Sequence, residues 1–180
     1  MSRGQPHLIL VGMMGTGKSV VGRVCSEKLG WPFVDTDMVI EHEQGRTIAE
    51  LFESEGEAAF RSLEAETISA LMREPAPMVV ACGGGAVLDA NTRNLFKKAG
   101  FVVWLTATPA DLAARIGRTS SRPLLVGRDA TAVLADLVTA RRGAYEEVAD
   151  VVVDTSGREV KQVADDVLEA VGPMVSGRSS

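Results

Sequence analysis

The apolar run HLILV at residues 7–11 passes without a spacer into GMMGTGKS at 12–19, and this junction narrows the possible folds more than any other stretch. Gly12, Gly17, Lys18 and Ser19 satisfy G-x-x-x-x-G-K-[ST]. With glycine at about 7% of ordinary residues, a chance match in a chain of this length is on the order of one per cent. A strand that feeds a glycine loop opening a helix lets successive backbone N–H groups converge on phosphate oxygens, and the helix N-terminus adds positive potential. In that arrangement Lys18 reaches the β- and γ-phosphates and the Ser19 hydroxyl ligates Mg²⁺. A glycine-rich turn that merely starts a helix is the competing reading, but nothing in such a turn calls for lysine and serine after the last glycine. The loop is expected to hold a nucleoside triphosphate.

Four more short runs repeat the character of the first: PFVD near 32, MVVAC near 78, FVVWL near 101 and VVVD near 151. Most are continuously apolar, the mark of strands covered on both faces, whereas a half-exposed antiparallel sheet would alternate apolar with polar. Helical periodicity fills most intervals, over 19–30, 47–74 as one helix, 89–100, 108–117, 130–149 and 158–172. Thr47 and Glu50 have capping-box spacing, Thr108-Pro109 supplies a cap followed by proline, and glycines 30, 100 and 172 stand where helices end. Alternating strand and helix implies right-handed crossovers and an α/β fold with a parallel sheet. The stretches 117–130 and 154–158 show no regular period.

At 180 residues, with 46% hydrophobic and 24% charged, the chain is expected to be one domain with its own core, over about 6–172, followed by a flexible tail at 173–180. A net charge of -5 argues against a broad basic face for nucleic acid. Cys25 and Cys82 are too few and too far apart for a disulfide framework or a zinc site, and fit free thiols in a reducing cytoplasm. No run approaches the roughly 20 apolar residues of a membrane span, and the apolar segment near the start is too short for a signal peptide.

FVDTDMVIE puts Asp35 and Asp37 just past the C-terminal edge of the second strand, where open α/β sheets build their sites. One carboxylate can stand near a metal while the other accepts a hydrogen bond from an attacking hydroxyl. An Asp-x-Asp turn capping the next helix is the alternative. Arg61 in FRSLE and the arginines of TARRGAY can make bidentate pairs with a carboxylate, although each alone also suits a solvated helix face. Gly83, Gly84 and Gly85 can expose backbone N–H groups and admit a ligand that a Cβ would obstruct, or form a plain turn.

Taken in order, GMMGTGKSVVGR, FVDTDMVIE, FRSLE, CGGGAV and SRPLL closely resemble the shikimate kinase family, small P-loop proteins of the nucleoside-monophosphate-kinase type, over about residues 6–172. The resemblance implies a five-stranded parallel sheet in the order 2-3-1-4-5 and transfer of the ATP γ-phosphate to the 3-hydroxyl of shikimate, a step of aromatic amino acid (chorismate) biosynthesis. It implies Mg²⁺ as cofactor and ATP and shikimate as partners; the charge, the apolar runs and the cysteines already point to no nucleic acid, no membrane and the cytoplasm, and a monomer is expected.

Carried onto this chain, the ATP contacts fall on Gly12, Gly15, Thr16, Gly17, Lys18 and Ser19. Shikimate contacts fall on Asp37, Arg61, Gly83, Gly84, Gly85 and Arg141, with Arg61 and Arg141 holding the carboxylate and Asp37 nearest the attacking oxygen. Asp35, with Ser19, is the implied metal-associated group, acting through water. Arg122 of RPLL belongs to a mobile lid over about 117–130 that closes on ATP and joins Lys18 and Asp37 in the catalytic set; Arg115 is similar to the arginine stacked near adenine. Such a lid excludes water, a competing acceptor. RGAY stands where the family has arginine-x-Pro-Leu-Tyr, so Arg141 is assigned by counting back from Tyr145. Adjacent helix residues lie about 100° apart, which leaves Arg142 as the alternative. MMGT differs from the family's FMGA but keeps Gly15.

Two other functions fit parts of this pattern. A kinase for another small hydroxy acid, such as gluconate, needs the same loop and a carboxylate anchor. A catalytically silent nucleotide-binding module needs the loop alone, but has no use for Asp37 and an acceptor pocket. A GTPase lacks support, because no Asn-Lys-x-Asp stretch occurs.

Overall fold

A computed structural model of the chain describes residues 7–117, 125 and 127–176, with only the backbone described at 174 and 176. The strands are β1 (His7–Val11), β2 (Phe33–Asp35), β3 (Val79–Ala81), β4 (Gly100–Thr106) and β5 (Val151–Asp154). All pair in parallel, in the order β2-β3-β1-β4-β5. Leu8 stands between Val79 and Phe101 in register, so the central strand runs between two apolar neighbours.

Period-two alternation divides the side chains of the sheet between two layers. Leu8, Leu10, Val79, Val103 and Leu105 face α1 (Lys18–Leu29) and α8 (Val160–Ser176), where Val21 and Cys25 on one helix and Val163, Val167 and Val171 on the other form stripes at helical spacing. Ile9, Val11, Val80, Val102 and Trp104 face the opposite layer of α4 (Glu57–Leu71), α5 (Ala90–Ala99), α6 (Pro109–Ile116) and α7 (Ala130–Val148). A small third cluster of Ile40, Leu51 and Phe60 ties α2 (Thr36–Gln44) and α3 (Ile48–Glu55) to α4. The α2–α4 group overhangs the C-terminal ends of β2 and β3.

Three expectations about elements are corrected. Residues 36–44, outside every expected helical interval, form a helix, because the Asp35 carboxylate caps it by accepting from the N–H groups of Asp37 and Met38. The single helix expected over 47–74 is two, broken at Gly56, whose φ of 85° an L side chain rarely adopts. The last helix does not stop at Gly172: α8 continues through Pro173 to Ser176. A helical glycine costs about 1 kcal/mol, and the burial of Val171 with Val175 packed against the same cluster outweighs it. The Thr47 capping box and the Thr108-Pro109 start form as expected. Most of the expected lid, with Arg122, lies outside the described residues.

Candidate active site

The glycine loop leaves β1 at the sheet's C-terminal edge and packs so closely that a Cβ on Gly12, at φ 147°, would stand 2.3 Å from the Leu105 carbonyl oxygen. Lys18 opens α1 and turns back across the loop, its Nζ donating at 2.9 Å to the carbonyls of Gly12 and Met13. The ammonium is thereby stretched over the concavity in which an anion would sit. Gly15, Gly17, Lys18 and Ser19 line the cleft, whereas the Thr16 side chain is turned inward and donates to the Met13 carbonyl at 2.8 Å. Any contact of Thr16 with a triphosphate therefore falls to its backbone.

The Ser19 hydroxyl donates to Asp35 Oδ2, while Oδ1 of the same carboxylate caps α2. The helix cap therefore uses one oxygen of the side chain and leaves the other to Ser19. Two hard oxygen groups touching at the mouth of an anion loop fit Mg²⁺, which keeps much of its shell as water and phosphate oxygen. Among the described residues, no group of three or more His, Cys, Asp or Glu could hold a metal by itself.

Across a cleft of about 710 Å³, α2, α4, α7 and the 83–85 turn form the opposite wall. Arg61 projects from α4 into the space left by Gly85, where a Cβ would lie 2.3 Å from the guanidinium. Its Nη1 donates to Glu64 Oε2 at 2.8 Å and its Nη2 to Glu57 Oε1 at 3.3 Å. At Gly83 a Cβ would fall 2.5 Å from Glu64 Oε1 and 2.8 Å from Asp37 Oδ1; at Gly84 it would fall 3.3 Å from Arg141 Nη1. The three glycines therefore make room first for the site's own charged side chains. They also form a tight turn leading into a 3₁₀ segment, Ala86–Leu88, and the Gly83 N–H donates to Thr36 Oγ1 at 3.2 Å.

Arg141 is 4% exposed and lines the cleft, while Arg142 points outward and pairs with Glu146. The α7 stripe 134-138-141-145-148 settles which arginine turns inward, since 142 lies off it. Arg115, on α6, ties the glycine loop to the segment after β5: Nη1 donates to the Gly15 carbonyl and Thr155 Oγ1, and Nη2 to the Thr155 carbonyl.

Glu64 has no role in the reading of the sequence. It is 2% exposed, burial pushes its pKa up against the pull of Arg61 and Arg141, and its Oε1 has no hydrogen-bond partner among the described residues. In FRSLE an acid three residues after an arginine looks like any surface helix pair. Only the packing of α4 against the glycine turn makes it a buried group.

The anion loop and the charged wall face each other across one cleft at the end of a parallel sheet, so a phosphoryl group leaving the loop meets whatever that wall holds. A chain built this way is a P-loop phosphotransferase. A family model described as shikimate kinase matches residues 14–172. The chain belongs to the shikimate kinase family. It is 43% identical to the shikimate kinase of Symbiobacterium thermophilum over 91% of this chain and 94% of that one. Among solved structures, shikimate kinase from Acinetobacter baumannii in complex with shikimate aligns with a TM-score of 0.89 at 35% identity, covering 99% of this chain and 97% of that one. A gluconokinase from Sinorhizobium meliloti, at 18% identity and a TM-score of 0.62 over 99% of this chain and 100% of that one, shares the fold alone.

Proposed function

We propose that the chain transfers the γ-phosphoryl group of ATP to the 3-hydroxyl of shikimate, giving shikimate 3-phosphate and ADP. Family membership favours shikimate over other hydroxy acids, and the observation that calls for a carboxylate on the acceptor is Arg141. It is a guanidinium buried to 4% exposure on the cleft wall, with no carboxylate at ion-pair distance among the described residues. A buried cation without a paired anion is costly, and an acceptor carboxylate supplies that anion in bidentate geometry. Arg61 stands on the other side of the same turn and supplies the second clamp.

Lys18, already drawn across the loop, binds β- and γ-oxygens and follows the charge as it shifts onto the bridging oxygen. Mg²⁺, held at Ser19 and through water at Asp35, would neutralise phosphate charge. Asp37 shares the Gly83 turn with Glu64 and orients the acceptor hydroxyl; in a loose transition state the proton leaves late, so Asp37 acts as orienter before it acts as base. Gly15, Gly17 and the start of α1 cradle the phosphates through backbone N–H groups, and Arg115 borders the loop where the nucleoside would extend. Arg122 and the segment around it would close the cleft against water.

The two buried free thiols suit the cytoplasm. No helix among the described residues is long and apolar enough to cross a membrane. The test is ADP release coupled to a reporter, with ATP, Mg²⁺ and either shikimate, gluconate or no acceptor. Release that depends on shikimate is expected. Equal turnover of gluconate, or release indifferent to any acceptor, contradicts the proposal.

A further inference from the structure

Tyr145 is 1% exposed, yet it is not merely filler for the core. Its hydroxyl donates to the Gly84 carbonyl at 2.6 Å, and its ring stacks on Trp104 of β4, with centroids 5.3 Å apart and planes 16° from parallel. It follows Arg141 by one turn of α7, so the two side chains are neighbours on one face of the helix. Burial pushes its pKa up to about 12, so the hydroxyl remains a donor at any working pH.

What that hydroxyl holds is the middle glycine of the turn, which stands between the two walls of the cleft. A Cβ on Gly84 would lie 3.3 Å from Arg141 Nη1 and 3.4 Å from both the Gly12 carbonyl oxygen and the Met14 amide nitrogen. Gly84 therefore faces the acceptor-side arginine and the triphosphate loop at once. The far end of the same turn is tied to α7 as well: Arg93 donates from Nη1 to the Val87 and Leu88 carbonyls and from Nε to Glu147.

We propose that Tyr145 is a positioning residue for the reaction, its hydroxyl pinning Gly84 so that Arg141 and the glycine turn keep one fixed setting against the loop. This rests on the reading of the site as a shikimate pocket. Tyr145 is not among the residues that line the cleft; it acts through Gly84 and Arg141. Without it the Gly84 carbonyl loses its donor, and the turn is free to shift relative to α7 while the loop keeps Lys18 and the start of α1.

Tyr145→Phe removes the donor and keeps the ring. Loss of about one hydrogen bond predicts a shikimate KM raised about 3- to 10-fold, with the KM for ATP within about twofold of wild type. Trp104→Phe is the control: it weakens the stack without touching the hydroxyl, so it lowers the melting temperature and leaves both KM values in their original ratio. Melting curves of both variants report whether each is folded. Tyr145→Phe moving neither KM, or both equally, overturns the role, as does a Trp104→Phe variant that reproduces the split. A wild type that phosphorylates no shikimate overturns the reading of the pocket and this role with it, and so is told apart from a failure of Tyr145 alone.

Discussion

On the triphosphate side the cleft wall is mostly main chain: one contiguous loop, glycine-lined, closed by Lys18 on its own carbonyls. On the acceptor side the wall is side chain, with Asp37 from α2, Arg61 and Glu64 from α4 and Arg141 from α7 meeting over three glycines. The first wall is fixed by eight neighbouring residues, the second by the relative placement of four elements. A local wall fails by losing a group. A non-local wall also fails when its elements shift.

The largest effect is expected on the main-chain wall. Lys18→Ala removes the ammonium drawn across the loop and should lower kcat by at least about a hundredfold, with circular dichroism and melting unchanged. Full turnover would remove Lys18 from the mechanism. Next, Arg61→Ala should weaken shikimate by about 1.5 to 3 kcal/mol, roughly ten- to a hundredfold in KM, and leave ATP untouched. A shift in the ATP KM of similar size would erase the distinction between the walls. Gly85→Ala should approach that result without deleting any charge, because its Cβ takes the space of the Arg61 guanidinium. The side chain can swing away, so a rise in shikimate KM of about tenfold is expected with little loss of stability. Unaltered shikimate kinetics would show that Arg61 does not need that space.

The smallest effect is on pH dependence. Burial raises the Glu64 pKa above its unfolded value, so the folded chain binds that proton more tightly. The stability this linkage contributes is present below about pH 4.5 and is lost as pH rises through the folded pKa. His7, buried at the other end of β1 with its pKa lowered by desolvation, has the opposite slope: stability is lost as pH falls below about 6.5. Denaturant unfolding across this range should show Glu64→Gln flattening the first slope and leaving the second. An unchanged profile would mean that Glu64 titrates alike folded and unfolded.

The same contrast governs how much the amino-acid sequence alone makes legible. The triphosphate loop is readable because its chemistry is a spacing of four residues. The acceptor wall is located by its motifs but not assembled by them, and Glu64 within FRSLE carries no signal because its burial comes from α4 packing on the glycine turn. Arg141 over Arg142 is within reach of the sequence: the stripe 134-138-141-145-148 passes through one and misses the other. The helix at 36–44 shows only its cap, the Asp-x-Asp turn, because it follows β2 without a spacer and carries only one buried aliphatic, Ile40. The break at Gly56 is hidden because helical spacing continues on both sides of it. At the end of α8, glycine and proline give a stop signal that the packing of Val171 and Val175 overrides.

The claim that two guanidiniums grip the acceptor's carboxylate is tested most directly by comparing shikimate with its carboxamide, in the wild type and in Arg61→Ala, Arg141→Ala and the double variant. The amide should bind the wild type about as poorly as shikimate binds the double variant, and exchanging acid for amide should then cost the double variant nothing further. A penalty for the amide that persists undiminished once both arginines are gone would place the carboxylate elsewhere in the cleft.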